Sequence, residues 1–280
     1  MRRREHEEKV LGAALLYIGK LTGETLTTFS RPEARERRRK TVDLLAQGSS
    51  SKYAIEHTRI ESFDGQILDN YQFSDLLGPI PLMVAGFLPA ENRFVLSVGT
   101  KAVKGVKDPE RVRNALITWI HEKAPLLKPG SNRHLPGTYV REFPPDVPFE
   151  VSLSRWHSRR KGLTIGRLEP GDLEEQRQMR IRTALAEKCP KLHRAKSGGR
   201  VSVLVLESDD LALANCSLVA SAVLEELKTR DDVPDQIYLV ETEAEPWAVW
   251  TIKCGSPVFP DTPASDPLYV YPAMIPRIPD

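Results

Sequence analysis

Apolar residues recur every three or four positions in four stretches of the chain, and this spacing predicts amphipathic helices. The first helix is expected over residues 5–20 and ends near Gly23. The other three are expected over 110–123, 173–195 and 211–227. The third helix is strongly basic and the fourth is mostly apolar, so they are expected to have different surroundings.

Runs of apolar residues between these helices predict β-strands. Residues 41–47 and 52–60 flank a turn sequence of one glycine and three serines, so we expect a hairpin there. Further strands are expected over 25–29, 92–98, 138–155, 162–168, 200–207, 236–240 and 247–252. Strands that alternate with helices predict an α/β fold, with a mixed sheet flanked by helices.

The C-terminal residues 255–280 hold seven of the 22 prolines of the chain. Such a segment does not continue a regular helix or strand, so we expect an extended tail that wraps the surface. The preceding residues 1–254 are expected to form a single α/β domain, which is common at this length. One interpretation of the tail is a docking element for a protein partner.

The composition is typical of a globular protein, with 40% hydrophobic and 28% charged residues. Three isolated cysteines argue against a disulfide framework or a zinc knuckle, and they favour a reducing, cytoplasmic location. The sequence contains no apolar run of the roughly 18 residues that a membrane span needs, so no membrane association is expected. Motifs of nucleotide-binding loops and of α/β-hydrolases are also absent from the sequence.

The net charge of +2 conceals an uneven distribution of charge along the chain. Residues 1–40 carry +5 and residues 155–200 carry +8, whereas residues 201–280 carry −10. Clusters of lysine and arginine bind phosphates, and Trp156 is available to stack on a base, so the second basic block predicts contact with DNA or RNA. The alternative is a solvated helix face with acidic counter-charges. The residues expected to contact nucleic acid are Arg159, Arg160, Lys161, Arg180 and Lys188.

Two acidic residues are expected to face each other on the predicted hairpin. Asp43 lies on its first strand and Glu56 on its second, where Glu56 and Thr58 share one face. Adjacent carboxylates repel each other unless a positive charge lies between them, and their hard oxygens favour Mg²⁺ or Mn²⁺. Such an ion polarises a phosphate and generates a hydroxide nucleophile. Solvated or salt-bridged carboxylates without a metal are the alternative interpretation.

The order of these features resembles the core of the PD-(D/E)XK nuclease superfamily, in which a helix, a strand, an aspartate on a strand and a hairpin precede an apolar-Glu-x-Lys segment. Here Asp43 and Glu56-His57-Thr58 correspond to that motif. The resemblance implies a restriction-endonuclease-like core with a C-terminal elaboration. It also implies metal-dependent cleavage of phosphodiester bonds, and the helix over 110–123 is expected to belong to the core.

The resemblance further implies a metal site made of Asp43, Glu56 and a glutamate of the first helix. Glu7 is the first choice for the helical ligand, because it extends the apolar face of that helix, and Glu8 is the second choice. In this interpretation Mg²⁺ or Mn²⁺ is the cofactor and nucleic acid is the substrate.

The sequence departs from the family pattern at two positions. Val42 replaces the proline before the aspartate, and Thr58 stands where the family has its catalytic lysine. Threonine supplies no positive charge to the attacking water, so Lys52 on the same strand face is the candidate substitute, and Lys40 is a further possibility. This departure leaves the enzymatic activity open. A catalytically degenerate nuclease fold, used to bind nucleic acid or another protein, is the second hypothesis.

Overall fold

A computed structural model describes residues 3–26, 28–32, 41–61, 63–89, 92–130, 136–158, 161–168, 171–210, 215–261, 266–276 and 278. The chain forms two compact units, of which unit 1 comprises 1–64 with 174–280 and unit 2 comprises 65–173. This differs from the single domain expected over 1–254, because the inserted segment has a hydrophobic core of its own. The two units are described separately below.

The secondary structure alternates between helices and strands along most of the chain. The first elements are α1 (Arg3–Thr22), β1 (Thr28–Ser30), β2 (Leu44–Gln47) and β3 (Lys52–Arg59). Unit 2 contributes α2 (Gln66–Leu77), α3 (Ile80–Val84), β4 (Arg93–Gly99), α4 (Pro109–Lys123), a 3₁₀ helix (Ala124–Leu126), β5 (Pro136–Glu142), β6 (Val151–Trp156) and β7 (Gly162–Leu168). The chain continues with α5 (Leu173–Lys196), β8 (Val201–Ser208), α6 (Cys216–Leu227), β9 (Gln236–Glu241), β10 (Trp247–Cys254), β11 (Leu268–Val270) and a 3₁₀ helix (Pro272–Met274).

Unit 1 is built on a seven-stranded mixed sheet with the strand order β1-β2-β3-β8-β9-β10-β11. The predicted hairpin is confirmed as the antiparallel pair β2–β3. Strands β3, β8 and β9 run parallel to one another, and the outer pairs are antiparallel. Helices cover both faces of this sheet, so the expected α/β fold with a mixed sheet flanked by helices is confirmed.

The C-terminal tail takes part in the sheet of unit 1. Strand β11 pairs with β10, and Ile275 and Ile278 are buried in the cluster that packs on α1. The tail expected over 255–280 is therefore only partly extended over the surface, because its apolar residues complete the core of unit 1. Removing the whole tail would remove an edge strand together with these two side chains.

The sheet of unit 1 separates two hydrophobic cores, and β3 contributes to both. Tyr53 and Ile55 belong to the cluster that includes α1, whereas Ala54 belongs to the cluster that includes α5 and α6. Because side chains of a strand alternate between its faces, Glu56 follows Ala54 onto the α5 face and His57 follows Ile55 onto the α1 face.

Helix α5 covers the face that carries Glu56. Its stripe of buried apolar residues packs on the sheet and consists of Ile181, Leu185, Cys189 and Leu192. The helix expected over 110–123 as part of the nuclease-like core lies instead in unit 2, as α4. It packs there on the unit's own core through Val112, Leu116, Trp119 and Ile120.

Unit 2 contains a four-stranded sheet with the order β5-β6-β4-β7. Strands β4 and β7 are parallel, and the other neighbours are antiparallel. The side chain of Asp108 accepts a hydrogen bond from the Arg111 backbone N–H (3.0 Å) and so caps α4. Across the described ranges of the whole chain, we find no helix with the length and apolar character of a membrane span.

Candidate active site

The structure brings together the two acidic residues of the hairpin. Leu44 pairs with Ile55 across the hairpin, and so the preceding Asp43 lies opposite Glu56. The Asp43 carboxylate accepts a hydrogen bond from the backbone N–H of His57 (2.7 Å), which fixes its orientation. Glu56 has no exposed surface at all.

Two lysines of α5 reach the same oxygen of Glu56. Lys188 Nζ lies 2.9 Å from Glu56 Oε2 and 3.6 Å from Asp43 Oδ2. Lys191 Nζ lies 3.3 Å from Glu56 Oε2. Residues three apart lie on one face of a helix, so both lysines point at the sheet from the same side. These four residues form what we call the Glu56 cluster, in which two carboxylates face two ammonium groups.

The second oxygen of Glu56 differs from the first, since no described residue pairs with it. Glu56 Oε1 is buried and accepts no hydrogen bond from any described residue. Burial and then repulsion from Asp43 raise the pKa of Glu56 to about 7, although the two lysines act in the opposite direction. Near neutral pH this side chain is therefore present both as the acid and as the carboxylate.

The same surroundings favour the charged form of Lys188, whereas they favour the neutral form of Glu56. Burial lowers its pKa, but the charges of Asp43 and Glu56 outweigh the burial and raise its pKa above the ordinary value. Its ammonium therefore keeps its charge throughout the physiological range, and it supplies fixed positive charge beside the two carboxylates.

The donor set fits a small divalent cation. Mg²⁺ is commonly held by one or two carboxylates together with water and substrate phosphates, and the unpartnered Glu56 Oε1 offers a hard oxygen ligand beside Asp43. A larger ligand set is not assembled: no three His, Cys, Asp or Glu residues within the described parts of the chain are grouped so as to hold a metal. The residues present therefore fit a two-carboxylate site.

The structure does not bring Glu7 to this pair, which corrects the ligand set expected from the resemblance. Helix α1 packs on the face of the sheet opposite Glu56, where the neighbouring His6 contacts Glu207. Glu8, the second choice, forms ion pairs with two arginines. The apolar face of α1 packs on the face of the sheet that carries Glu207, and not on the face that carries Glu56.

Among the described residues, the lysines that contact the carboxylate pair lie on helix α5 and not on the hairpin. Thr58 follows Glu56 by two residues on the same strand, whereas Lys52 begins the strand with an exposed side chain, about 13 Å away along the backbone. Lys40 lies outside the described residues. The side chain of Lys188, expected to contact nucleic acid, is instead only 12% exposed and lies beside Glu56. The signal available in the sequence was the position of Lys188 and Lys191 within the apolar stripe of α5.

Acidic residues neutralise part of the basic block that predicted nucleic-acid binding. Arg180 pairs with Glu61 (3.6 Å) and Asp64 (3.3 Å). Two further cations of α5 pair with the acidic C-terminal region, as Arg182 with Glu226 and Lys196 with Asp235. Lys161 is exposed in unit 2, and the predicted contacts Arg159 and Arg160 lie outside the described residues.

A second buried glutamate lies on the opposite face of the sheet. Glu207 of β8 accepts hydrogen bonds from His6 Nε2 (2.7 Å) and His57 Nε2 (3.0 Å), one on each carboxylate oxygen. Thr242 Oγ1 adds a hydrogen bond at 3.4 Å. Burial alone would raise its pKa, but the two histidines outweigh burial and lower the pKa of Glu207 to about 2. We call these four residues the Glu207 cluster.

We compared the chain with models of protein families, with curated proteins and with solved structures, and nothing matched in any of the three.

Proposed function

We propose that the protein is a metal-dependent nuclease that cleaves phosphodiester bonds of DNA or RNA at the Glu56 cluster. The observation that carries the proposal is the position of Lys188. Its ammonium lies within 4 Å of both Asp43 and Glu56. It thus supplies the positive charge that the resemblance to PD-(D/E)XK nucleases requires and that Thr58 lacks.

Each residue of the cluster has a role in this proposal. Asp43 and Glu56 would hold Mg²⁺ or Mn²⁺, which when bound polarises the phosphate and lowers the pKa of a bound water. The His57 backbone N–H keeps the Asp43 carboxylate in place. Lys188 places a positive charge where negative charge develops on the phosphate during attack, and burial strengthens that interaction.

The order of elements in unit 1 also supports the proposal. A helix, a strand and a hairpin with its two acids are followed, after the inserted unit 2, by α5 and the parallel strand β8. The same order of helix, strand and hairpin underlies the resemblance to PD-(D/E)XK nucleases. Helix α5 is then the helix that follows the hairpin. We accordingly propose a restriction-endonuclease-like core for unit 1 and, on the basis of three free cysteines, a cytoplasmic location.

A cleavage assay with matched variants tests the proposal. The full chain is incubated with plasmid, single-stranded DNA and RNA in Mg²⁺ or Mn²⁺, beside Asp43→Asn, Glu56→Gln and Lys188→Met. We expect each variant to lose at least about 100-fold in rate, as is typical when a group that stabilises the transition state is removed. Lys196→Met is the control, since this lysine of the same helix pairs with Asp235, outside the cluster. Equal cleavage by all variants, or none by the wild type, would refute the proposal.

A second candidate function is favoured by the charge balance of the Glu56 cluster. Two acids and two lysines neutralise each other without any metal, which is how a catalytically degenerate nuclease fold would stabilise itself. Such a protein would bind nucleic acid through its basic surface, in a salt-dependent manner and without a divalent cation. Reversing the charges of Arg159, Arg160 and Lys161 together should then abolish binding, and unchanged binding would count against this alternative.

A further inference from the structure

When both of its carboxylates are ionised, the Glu56 cluster is electrically balanced before any metal binds. Its two carboxylates carry two negative charges when ionised, and its two ammonium groups carry two positive charges. Adding a divalent cation to this ionised cluster would leave an excess of two positive charges among side chains that are at most 12% exposed. Because uncompensated buried charge is costly, something must offset that excess.

The two lysines are held differently. Lys188 lies between both carboxylates, with contacts to Asp43 and to Glu56. For Lys191, the ion pair in the described structure is with Glu56 alone, at the longer distance of 3.3 Å. A lysine has a flexible four-carbon stem, so Lys191 is the ammonium that moves away from Glu56 more easily.

A nucleic acid supplies the negative charge that the loaded cluster lacks. Every nucleotide brings one phosphate charge, and a lysine released from Glu56 is a natural partner for it. We propose that Lys191 competes with the divalent cation for Glu56 and is released only when a phosphate of the substrate takes over its ammonium. This inference rests on the proposed function and names the order in which that same site is loaded.

The competition can be measured as binding of Mn²⁺, without any turnover. Free Mn²⁺ is followed by electron paramagnetic resonance during titration of the full chain, alone and with a phosphorothioate oligodeoxynucleotide that resists cleavage. An uncharged methylphosphonate oligonucleotide of the same sequence is the matched ligand control. After subtraction of the Mn²⁺ that each oligonucleotide binds without protein, we expect wild type to bind Mn²⁺ at least about tenfold more tightly with the charged oligonucleotide than with the uncharged one.

Removal of the Lys191 ammonium should raise the affinity for Mn²⁺ in the same way as the phosphate of the oligonucleotide does. Lys191→Met is expected to bind Mn²⁺ alone at least about tenfold more tightly than wild type, and to gain much less from the oligonucleotide. Lys191→Gln serves as a second variant, and Lys196→Met is the control that keeps the wild-type behaviour. Glu56→Gln is expected to lose Mn²⁺ binding, which locates the bound ion.

The outcomes separate the inference from the function on which it rests. Mn²⁺ binding that depends on Glu56 but is unchanged by Lys191→Met and by the charged oligonucleotide overturns the competition and leaves the nuclease proposal intact. An absence of Mn²⁺ binding in every sample overturns both. If both Lys191 variants fail to fold, the comparison of the two oligonucleotides on wild type decides, and equal affinities overturn the competition.

Discussion

Two buried glutamates on neighbouring strands of one sheet have opposite electrostatic properties. Glu56 of β3 and Glu207 of β8 are 0% and 1% exposed, and they lie on opposite faces. Burial raises the pKa of Glu56 to about 7. For Glu207, hydrogen bonds from His57 and His6 overcome burial and lower the pKa to about 2.

The difference lies in how many carboxylate oxygens have partners. Both oxygens of Glu207 accept hydrogen bonds, so its ionised form is fully compensated. Glu56 concentrates both lysines on Oε2 and leaves Oε1 without a partner in the described chain. A buried carboxylate whose two oxygens both accept hydrogen bonds stabilises the fold. A buried carboxylate with an unpaired oxygen destabilises the fold until a ligand binds that oxygen. The proposed function accordingly assigns the reaction to the Glu56 cluster and a structural role to the Glu207 cluster.

Neutralising each glutamate should change stability in opposite directions, and this is the largest expected effect. At pH 7.5, Glu207→Gln is expected to lower the free energy of unfolding by about 3 kcal/mol, because it breaks a compensated buried network. Glu56→Gln is expected to raise it by about 2 kcal/mol, because burial and repulsion from Asp43 disfavour the charge of Glu56 by more than the two lysines favour it, as its raised pKa indicates. Urea unfolding followed by circular dichroism measures both. A loss of stability in both variants would remove the contrast.

The pH dependence of stability should show the same contrast. The pKa of Glu207 lies below the ordinary value of 4.5. Its ionised side chain therefore adds about 3 kcal/mol to the free energy of unfolding above pH 4.5, and this contribution is lost as the pH falls toward 2. The pKa of Glu56 lies above 4.5. Its protonated side chain therefore adds about 3 kcal/mol to the free energy of unfolding below pH 4.5, and this contribution is lost as the pH rises through 7.

Difference curves isolate these two terms. The free energy of unfolding of wild type minus that of Glu56→Gln should fall between pH 4.5 and 7. The same difference for Glu207→Gln should rise as the pH increases from about 2 to 4.5. Two difference curves with slopes of the same sign would show that the surroundings of the two carboxylates do not differ as described.

A substitution at His57 tests whether the two faces of the unit 1 sheet act separately, because His57 contacts a cluster on each face. Its side chain contacts Glu207, while its backbone N–H holds Asp43. His57→Ala should therefore cost about 2 kcal/mol of stability but reduce cleavage no more than about fivefold. Unfolding and cleavage are measured on one preparation of the protein. If cleavage falls about 100-fold while stability is unchanged, the imidazole itself acts in the reaction.

The smallest effect is expected at Lys52, the lysine that the sequence put forward as the substitute. Its side chain is exposed at the start of β3, so Lys52→Met should leave the cleavage rate within about twofold of wild type and stability within about 0.5 kcal/mol. Cleavage and unfolding assays run beside Lys188→Met provide the comparison. A large loss of cleavage activity in Lys52→Met would indicate that the catalytic lysine is Lys52 of the hairpin and not Lys188.

The carboxylate pair was predictable because local rules determine it. A glycine–serine turn between apolar runs gives the hairpin, and its register places Asp43 opposite Glu56. The alternation of faces along β3 likewise follows from the positions of the residues. The stretch expected as strand over 138–155 is broken between β5 and β6, where Pro144, Pro145 and Pro148 remove backbone donors.

The remaining members of the cluster depend on long-range packing. Lys188 and Lys191 reach Glu56 across about 130 residues of sequence, and periodicity does not reveal which helix covers which face of a sheet. The same reason accounts for the expected role of Glu7: α1 packs on the sheet, but on the face of Glu207. The division into two units was hidden as well, since the inserted segment also alternates strands and helices.

The most direct test of this contrast is the position of a bound divalent cation. Crystals of the protein grown with Mn²⁺ and the phosphorothioate oligonucleotide would locate the ion by its anomalous scattering. We expect an anomalous peak between Asp43 and Glu56 on the α5 face and none beside Glu207. A peak at the Glu207 cluster, or no peak at either cluster, would contradict the account.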